Sequence, residues 1–537
     1  MREKNQRRTI TIMNTGKNPA GIQQAWLRRK YGSALVIMAT IAQILLGASF
    51  AEAAATLTVL HAFSGGLSED SVPEGQGVNG IIQAGDGNFY GTAAGGGSGA
   101  VYNDGCGTIF KIASNGTFTV LHTFTGPDGK SPSGAYDYDV GPPLVQGTDG
   151  NLYGGTVSGG IGFNQSSGCY VGSPTGMGTI FRIRPDGTFT TLVFFDGTNG
   201  AWPSSLFLAK DGNFYGTTAG GGSQYGDTGY GTVFGMGPEG VLTTLFAFNG
   251  TNGSRPSSLL QGKDGNFYGT IDYGGATGLG GVFKMTPAGV VTALASFTDT
   301  NSWGLKTLMQ ASDGNFYGTM FAGGTCSTYY GGGCGYFGTI FKVTPSGSLS
   351  TLLKFTGSNG AWPLAPLVEG TDGYLYGSTS QGGPRTDFPG CNCWDHIGTL
   401  FRMSLDGKLT TLVFLNYRNG LYPRGALAQA SDGTLYGTTF ASTNAASPGG
   451  GPGEIFRLSI PGAEAPKIIS TVNSGSMVTL NWLALRGRSY QLQFTTNLTL
   501  INWSNTGNPV TATNTSVSAS DTIGSATRRF YRVALLP

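Results

Sequence analysis

At 537 residues the chain exceeds a single ordinary core, and 93 Gly with only 11% charged residues exclude a protein of long surface helices. Such a composition favours short strands joined by many tight turns. The formal charge of +2 misleads, because residues 1–53 hold eight Lys/Arg against Glu3 and Glu52. Of the 31 basic and 29 acidic groups, 23 and 27 remain beyond them, so the rest of the chain is mildly acidic and has no electrostatic reason to bind nucleic acid.

In chain order, the first element is an export leader. A basic region ends at Arg28-Arg29-Lys30, an apolar run follows from Ser33 to Leu46, and Ala-Glu-Ala at 51–53 offers small residues for cleavage near Ala53. The alternative is an uncleaved anchor, since Ser33–Ala51 is long enough to cross a bilayer. Either way the remainder is expected outside the cytoplasm, secreted or at a bacterial cell surface, touching membrane only through that segment.

A repeated unit comes next. Asp211-Gly-Asn-Phe-Tyr-Gly-Thr217 recurs in close copies from Asp86, Asp149, Asp264, Asp313, Asp372 and Asp432, seven in all, at intervals of 49 to 63 residues. That period marks a propeller or a solenoid. Each repeat carries the same further pieces: in the third, Pro203 to Leu208 runs into the Asp211-Gly212 turn. Asn213–Thr218, Gly231–Met236, a Pro238-Glu-Gly240 turn and Leu242–Phe248 follow. This predicts four strands per repeat, with DG and PxG as short turns. Apolar residues on both faces of Leu349–Phe355 suggest a sheet packed between two others.

The ends of the array decide its form. The seventh repeat stops at Pro461-Gly462 without a fourth strand, while Thr56-Leu-Thr-Val-Leu-His-Ala-Phe63 precedes any DGN motif and matches Phe118–Phe124. An open solenoid has no use for that offset. A propeller closes by pairing an N-terminal strand into its last blade. The fold predicted is all-β: a seven-bladed β-propeller over residues 54–462, closed by an N-terminal strand, and a small β-sandwich over 463–537.

The sequence here resembles a family of bacterial exported proteins built from GloVer-type tandem repeats, through DGNxYGTT, a glycine-rich gap, GTxFxx and PxGxxTxLxxF, over about residues 56–460. The resemblance implies export and a repeat fold and brings no catalytic residues with it. Departures are the shortened Gly280–Met285 of the fourth repeat and Asp372-Gly-Tyr in the sixth. After Pro461, alternating runs at Val478–Trp482, Tyr490–Phe494 and Arg529–Val533 predict six or seven antiparallel strands. This segment resembles fibronectin-type-III-like modules, which implies a spacer or attachment role.

Functional residues are expected on the loops between YGT and GTxF, which also hold all six cysteines. Export favours disulfides, with Cys326–Cys334, Cys391–Cys393 and Cys106–Cys169 the pairing preferred among fifteen. Cys391, Cys393 and His396 could alternatively ligate zinc or copper, though no fourth ligand is evident. His61 and His122 hold equivalent places and read as framework. A second set of loops repeats an aromatic beside a turn: Trp202, Trp303, Trp362 and Tyr422. With Trp394 these are the ligand-binding candidates, able to stack on sugar rings, against the alternative that each plugs a seam between blades. Loop carboxylates Asp137, Asp139, Asp227, Asp272 and Asp395 could serve glycan cleavage if two lie the right distance apart. No catalytic residue, metal site or cofactor is assigned. The reading is a monomeric binding or surface-interaction protein for an extracellular glycan or another surface protein, with a glycan-active hydrolase or lyase as the alternative.

Overall fold

A computed structural model describes residues 55–535 outside a set of connecting segments. The larger of these are 64–73, 98–104, 133–140, 165–168, 170–174, 223–228, 299–303, 384–397, 461–467, 497–502 and 523–528. The leader predicted over 1–53 lies outside the described residues. The described chain is all-β, built almost wholly from four-stranded antiparallel sheets. Sheet I contains Gln76–Gln83, Phe89–Gly95, Thr108–Ile112 and Phe118–Thr123 in that order. Sheets II to VI repeat the pattern within 145–194, 201–247, 254–296, 309–354 and 368–414. Sheet VII takes three strands from 428–459, and its fourth is Thr56–Ala62, antiparallel to Glu454–Ser459.

The repeated motif explains each sheet. The aspartate of the DGN turn accepts the amide of the residue two positions on, as Asp211 Oδ1 does from Asn213 N–H at 3.0 Å, and Gly212 takes φ +83°. The chain then enters the second strand through Phe-Tyr or Leu-Tyr, whose side chains point to opposite faces because a strand alternates. The tyrosine of one sheet meets the Phe of the next: Tyr153 on Phe214 at 4.1 Å, Tyr215 on Phe267 at 4.5 Å, Tyr268 on Phe316 at 4.2 Å. Tyr436 of sheet VII meets Phe89 of sheet I at 4.1 Å. Opposite the glycine of YGT lies the phenylalanine of GTxF. A Cβ on Gly91 would stand 2.4 Å from the Phe110 ring, so the motif's glycine is the space its own third strand fills.

Six large apolar clusters each draw on two sheets consecutive in the chain, and a seventh joins sheet VII (Tyr436, Ile455) to sheet I (Phe89, Phe110). Second and third strands are buried on both faces, Phe89–Gly95 throughout. Fourth strands differ from expectation: Leu349–Lys354, the edge strand of its sheet, contains only half-buried and exposed residues and none that is buried. Two long loops also form hairpins, Cys326–Tyr330 with Gly333–Tyr336 and Ser442–Asn444 with Ser447–Gly451.

Beyond the array, seven strands between Ile468 and Leu535 form two antiparallel sheets. They share a cluster around the fully buried Trp482, with Leu480, Tyr490 and Leu492.

Candidate functional site

Antiparallel strands put the DG and PxG turns at one end of every sheet and the long connections at the other. The turn end is self-satisfied. Asp86 accepts from Asn88, from the Tyr90 hydroxyl at 2.7 Å and from Lys111 Nζ at 3.3 Å. Burial pushes its carboxyl up, but these bonds outweigh burial and hold it at about 2. The same aspartate–tyrosine bond recurs at Asp149–Tyr153, Asp211–Tyr215, Asp264–Tyr268, Asp313–Tyr317 and Asp372–Tyr376. Burial, then the neighbouring carboxylate, pushes Tyr153 and Tyr215 up to about 12. These tyrosines are committed to the fold.

The long-connection end carries the anomaly. Among the described residues five that are not glycine have left-handed backbone: Ser131, Trp202, Arg255, Trp362 and Tyr422, with φ from +51° to +59°. All five precede proline and all lie two residues after a glycine, in the pattern G-x-x-P. In the first repeat Gly77 takes φ +69° at the register Trp202 holds in the third. Each such residue costs on the order of 1–3 kcal/mol, and such outliers cluster where a site is built. The conformation is enforced from the preceding sheet. The backbone N–H groups of Ser131, Trp202, Arg255 and Trp362 donate to Cys106, Met177, Tyr230 and Phe337 O at 2.8–2.9 Å. The proline that follows packs on the glycine of the preceding sheet's GTxF: a Cβ on Gly178 would meet Pro203 Cδ at 2.6 Å, and one on Gly338 would meet Pro363 at 2.5 Å.

One position per repeat is thereby fixed on the way into the first strand: Trp202 and Arg255 lie at its start, and Ser131, Trp362 and Tyr422 lie in the connection ahead of it. Trp202, Trp362 and Tyr422 are half-buried there, Ser131 is buried and Arg255 is exposed. The Trp362 ring lies 5.2 Å from Phe321, and its Nε1–H donates to Tyr336 O at 3.1 Å. Tyr422 packs, with Phe440, against the buried Leu421. The Trp202 Nε1 is buried with no partner. Each ring thus rests partly on a neighbour, and none is lost in a core. Trp303, which has Asn301 and Gly304 where the others have glycine and proline, and Trp394 lie outside the described residues. Sequence reading found the aromatic members and missed Ser131, Arg255 and Gly77. The G-x-x-P spacing marks Ser131 and Arg255 as it marks the rings, whereas Gly77, followed by Val78, lacks the proline.

Glu454 was missed as well. It opens the third strand of sheet VII where sheets I, II, III, V and VI have Thr108, Thr179, Thr232, Thr339 and Thr399. In sheets II, III and VI that hydroxyl bonds a second-strand threonine, as Thr379 and Thr399 do at 2.8 Å. Glu454 keeps only the backbone half, its N–H donating to Thr439 Oγ1 at 3.0 Å. Its side chain is 8% exposed with Oε2 unpartnered, and burial pushes the carboxyl up to about 7.

Of the predicted loop acids, Asp272 is buried and accepts from Ser257 Oγ at 3.2 Å. Asp137, Asp139, Asp227 and Asp395 lie outside the described residues, as do Cys391, Cys393 and His396. Cys106 and Cys169 form a disulfide joining loops of sheets I and II, with Cα atoms 4.8 Å apart. The backbone hairpin holding Cys326 and Cys334 sets Cys326 opposite Tyr336. His61 stacks on Phe118 at 4.2 Å and lies 3.3 Å from Glu74. His122 stacks on Phe189 at 3.7 Å and lies 2.9 Å from Asp128. Both bridge the fourth strands of successive sheets.

The Gloeobacter/Verrucomicrobia repeat family matches residues 139–330 and 326–480. No curated protein matches the chain. Among solved structures, a gluconolactonase from Xanthomonas campestris is 12% identical, with 77% of this chain and 93% of that one covered and a TM-score of 0.36. An α-L-arabinofuranosidase from Fusarium graminearum is 12% identical over 63% and 98%, TM-score 0.39. A puromycin hydrolase is 11% identical over 80% and 62%, TM-score 0.42.

Proposed function

The chain belongs to the Gloeobacter/Verrucomicrobia repeat family, and we propose that it is an exported or cell-surface β-propeller that binds an extracellular glycan through one rim and catalyses no reaction. The propeller has seven blades and is closed by Thr56–Ala62. Support for closure is the pairing of that strand with Glu454–Ser459, the Tyr436–Phe89 contact, and the bond from Thr438 Oγ1 to Val78 O at 3.3 Å. A leader over 1–53 precedes the propeller at 54–462, and a fibronectin-type-III-like sandwich over 463–537 serves as spacer or attachment module.

One observation carries the functional reading. At five described repeats the residue before the proline of G-x-x-P is held in left-handed backbone, against its own preference, and three of the five are half-buried aromatic rings. The N–H bond and proline packing that enforce the angle are made by Ser131 and Arg255 as well, so they do not call for a large ring there. A stacking platform does, since planar rings at fixed positions bind sugar faces at low entropic cost.

The test is glycan binding by the full chain and by Trp202→Ala/Trp362→Ala. Loss of two stacking contacts should weaken binding by roughly five- to a hundred-and-fifty-fold while the protein still melts cooperatively. If the double variant melts far lower and its folded fraction binds as before, the rings are seam packing. A second reading, a glycan hydrolase or lyase, is favoured by Glu454, whose protonated carboxyl near neutral pH suits an acid. Chain shortening of a polysaccharide that is abolished by Glu454→Gln would select it.

A further inference from the structure

The junction of sheets III and IV departs from the repeat at the loop-bearing end. Two tyrosines flank the start of the fourth repeat there: Tyr230, 40% exposed, and Tyr273, 44% exposed. The carbonyl of Tyr230 accepts the Arg255 N–H, a place held elsewhere by Cys106, Met177 and Phe337, each buried or half-buried. Tyr273 lies in register with Ser254, where other sheets have Gly95, Ser158, Gly220 and Gln381. The fold is therefore built elsewhere without an exposed ring at the first position and without any ring at the second. Both tyrosines meet the turn Asn249–Gly253. A Cβ on Gly250 would stand 2.8 Å from Tyr230 Cε1, and one on Gly274, next to Tyr273, would stand 2.5 Å from Gly250 O. On the same turn Asn249 and Asn252 are exposed, and their Oδ1 atoms accept each other's backbone N–H at 3.1 and 3.0 Å. That leaves two side-chain N–H2 groups with no partner among the described residues, whereas the matching Asn199 of the preceding turn donates its own to Phe194 O at 3.3 Å. Trp202 stands on the adjoining first strand, tied to this one by the Ser204 hydroxyl donating to Pro256 O at 2.7 Å.

Resting on the reading of the rim as a glycan platform, we propose that Tyr230 and Tyr273 form a subsite for a neutral saccharide, its pyranose faces on the two rings and its hydroxyls at the amides of Asn249 and Asn252. The chemistry is complementary. A phenol ring offers an apolar face to the C–H side of a pyranose, and a carboxamide N–H2 donates to hydroxyl oxygens. The two rings and two amides are uncharged, and Arg255 between them is already engaged with another group of the chain. Recognition thus falls to groups that suit a neutral sugar. The Tyr230 ring is seated on Gly250 and Tyr273 ends a paired strand, so both are largely placed before the ligand arrives, which reduces the entropy lost on binding.

The experiment is calorimetric titration of the full chain with the neutral probes cellohexaose, xylohexaose and mannohexaose and with a galacturonate hexasaccharide. At least one neutral probe should bind, and no tighter binding should be seen for the acidic one. Tyr230→Ala and Tyr273→Ala should each weaken the neutral probe by roughly two- to twelvefold, and Phe at either position should keep most of the affinity. Tyr273→Ala should melt as the wild type does. In the unaltered chain, tetranitromethane should nitrate both tyrosines, and the bound neutral probe should protect them. Binding that falls with Trp202→Ala/Trp362→Ala but is unmoved by both tyrosine variants, with both tyrosines still nitrated in the complex, overturns the subsite and leaves the platform standing. Loss confined to the tyrosine variants keeps the subsite and removes the tryptophans from the platform. Tighter binding of the galacturonate probe than of every neutral one overturns the neutral assignment, and binding of none of the four overturns both readings.

Discussion

Glu454 gives the sharpest thermodynamic prediction. Its carboxyl titrates at about 7 in the fold against an ordinary 4.5, because burial disfavours the charged form and no partner compensates. Below pH 4.5 both folded and unfolded chains hold the proton and the group is neutral in its effect. Between 4.5 and 7 the unfolded chain gives the proton up while the folded one keeps it, so stability falls as pH rises. Above 7 both are ionised and the penalty is complete, roughly 3 kcal/mol, a sizeable share of an ordinary domain's stability. Glu454→Gln places an amide in the same space, which adds an offset independent of pH. The signature is therefore the change in the difference between variant and wild type. Urea unfolding at several pH values should show the variant gaining on wild type by up to about 3 kcal/mol between pH 4.5 and 8. Glu454→Thr, which restores the residue of five other sheets, should behave alike. A difference that stays flat across that range would mean the carboxylate is solvated or paired, and the reasoning fails.

Deleting residues 54–64 removes the fourth strand of sheet VII and exposes the edge of Glu454–Ser459. Light scattering should then report aggregation and calorimetry a lower melting temperature, and a monomer with unchanged melting would contradict ring closure. Replacing Cys106 and Cys169 by Ser frees a loop closed across 63 residues, which the chain-entropy estimate values at about 4 kcal/mol as an upper figure, readable by thermal melting. Tyr317→Phe removes the hydroxyl donor to Asp313 and should cost about 1–2 kcal/mol at pH 7. Because hydrogen bonds hold the Asp313 carboxyl below its ordinary value despite its burial, that cost should shrink as pH falls below 4 and the carboxylate is protonated.

What the sequence made legible was whatever the period repeats. Four strands per unit, the DG turn and the N-terminal strand in the last sheet follow from motif order, since a fourth strand missing at one end and supplied at the other has few solutions. The Phe-Tyr dipeptide was visible too, but its role of meeting one neighbouring sheet with each ring depends on which elements flank the strand, and spacing alone is silent on that. At the site, side-chain identity drew attention to Trp202, Trp362 and Tyr422. What unites them with Ser131, Arg255 and Gly77 is a backbone angle, and residue type does not encode it except through the glycine and proline on either side. Glu454 escaped because a glutamate where other repeats have threonine looks like surface drift. Only the burial of the strand's first residue turns it into an orphaned carboxyl.

The central claim is that ligand sits on the loop-bearing rim over the left-handed residues. Hydroxyl-radical footprinting of the full chain with and without a bound glycan oligosaccharide tests it most directly. Peptides spanning 200–204, 253–257, 360–364 and 420–424 should gain protection, while the DGN turns at 86–90 and 264–268 should be unchanged. Protection confined to the DGN turns, or binding that leaves all four rim peptides as reactive as before, would contradict it.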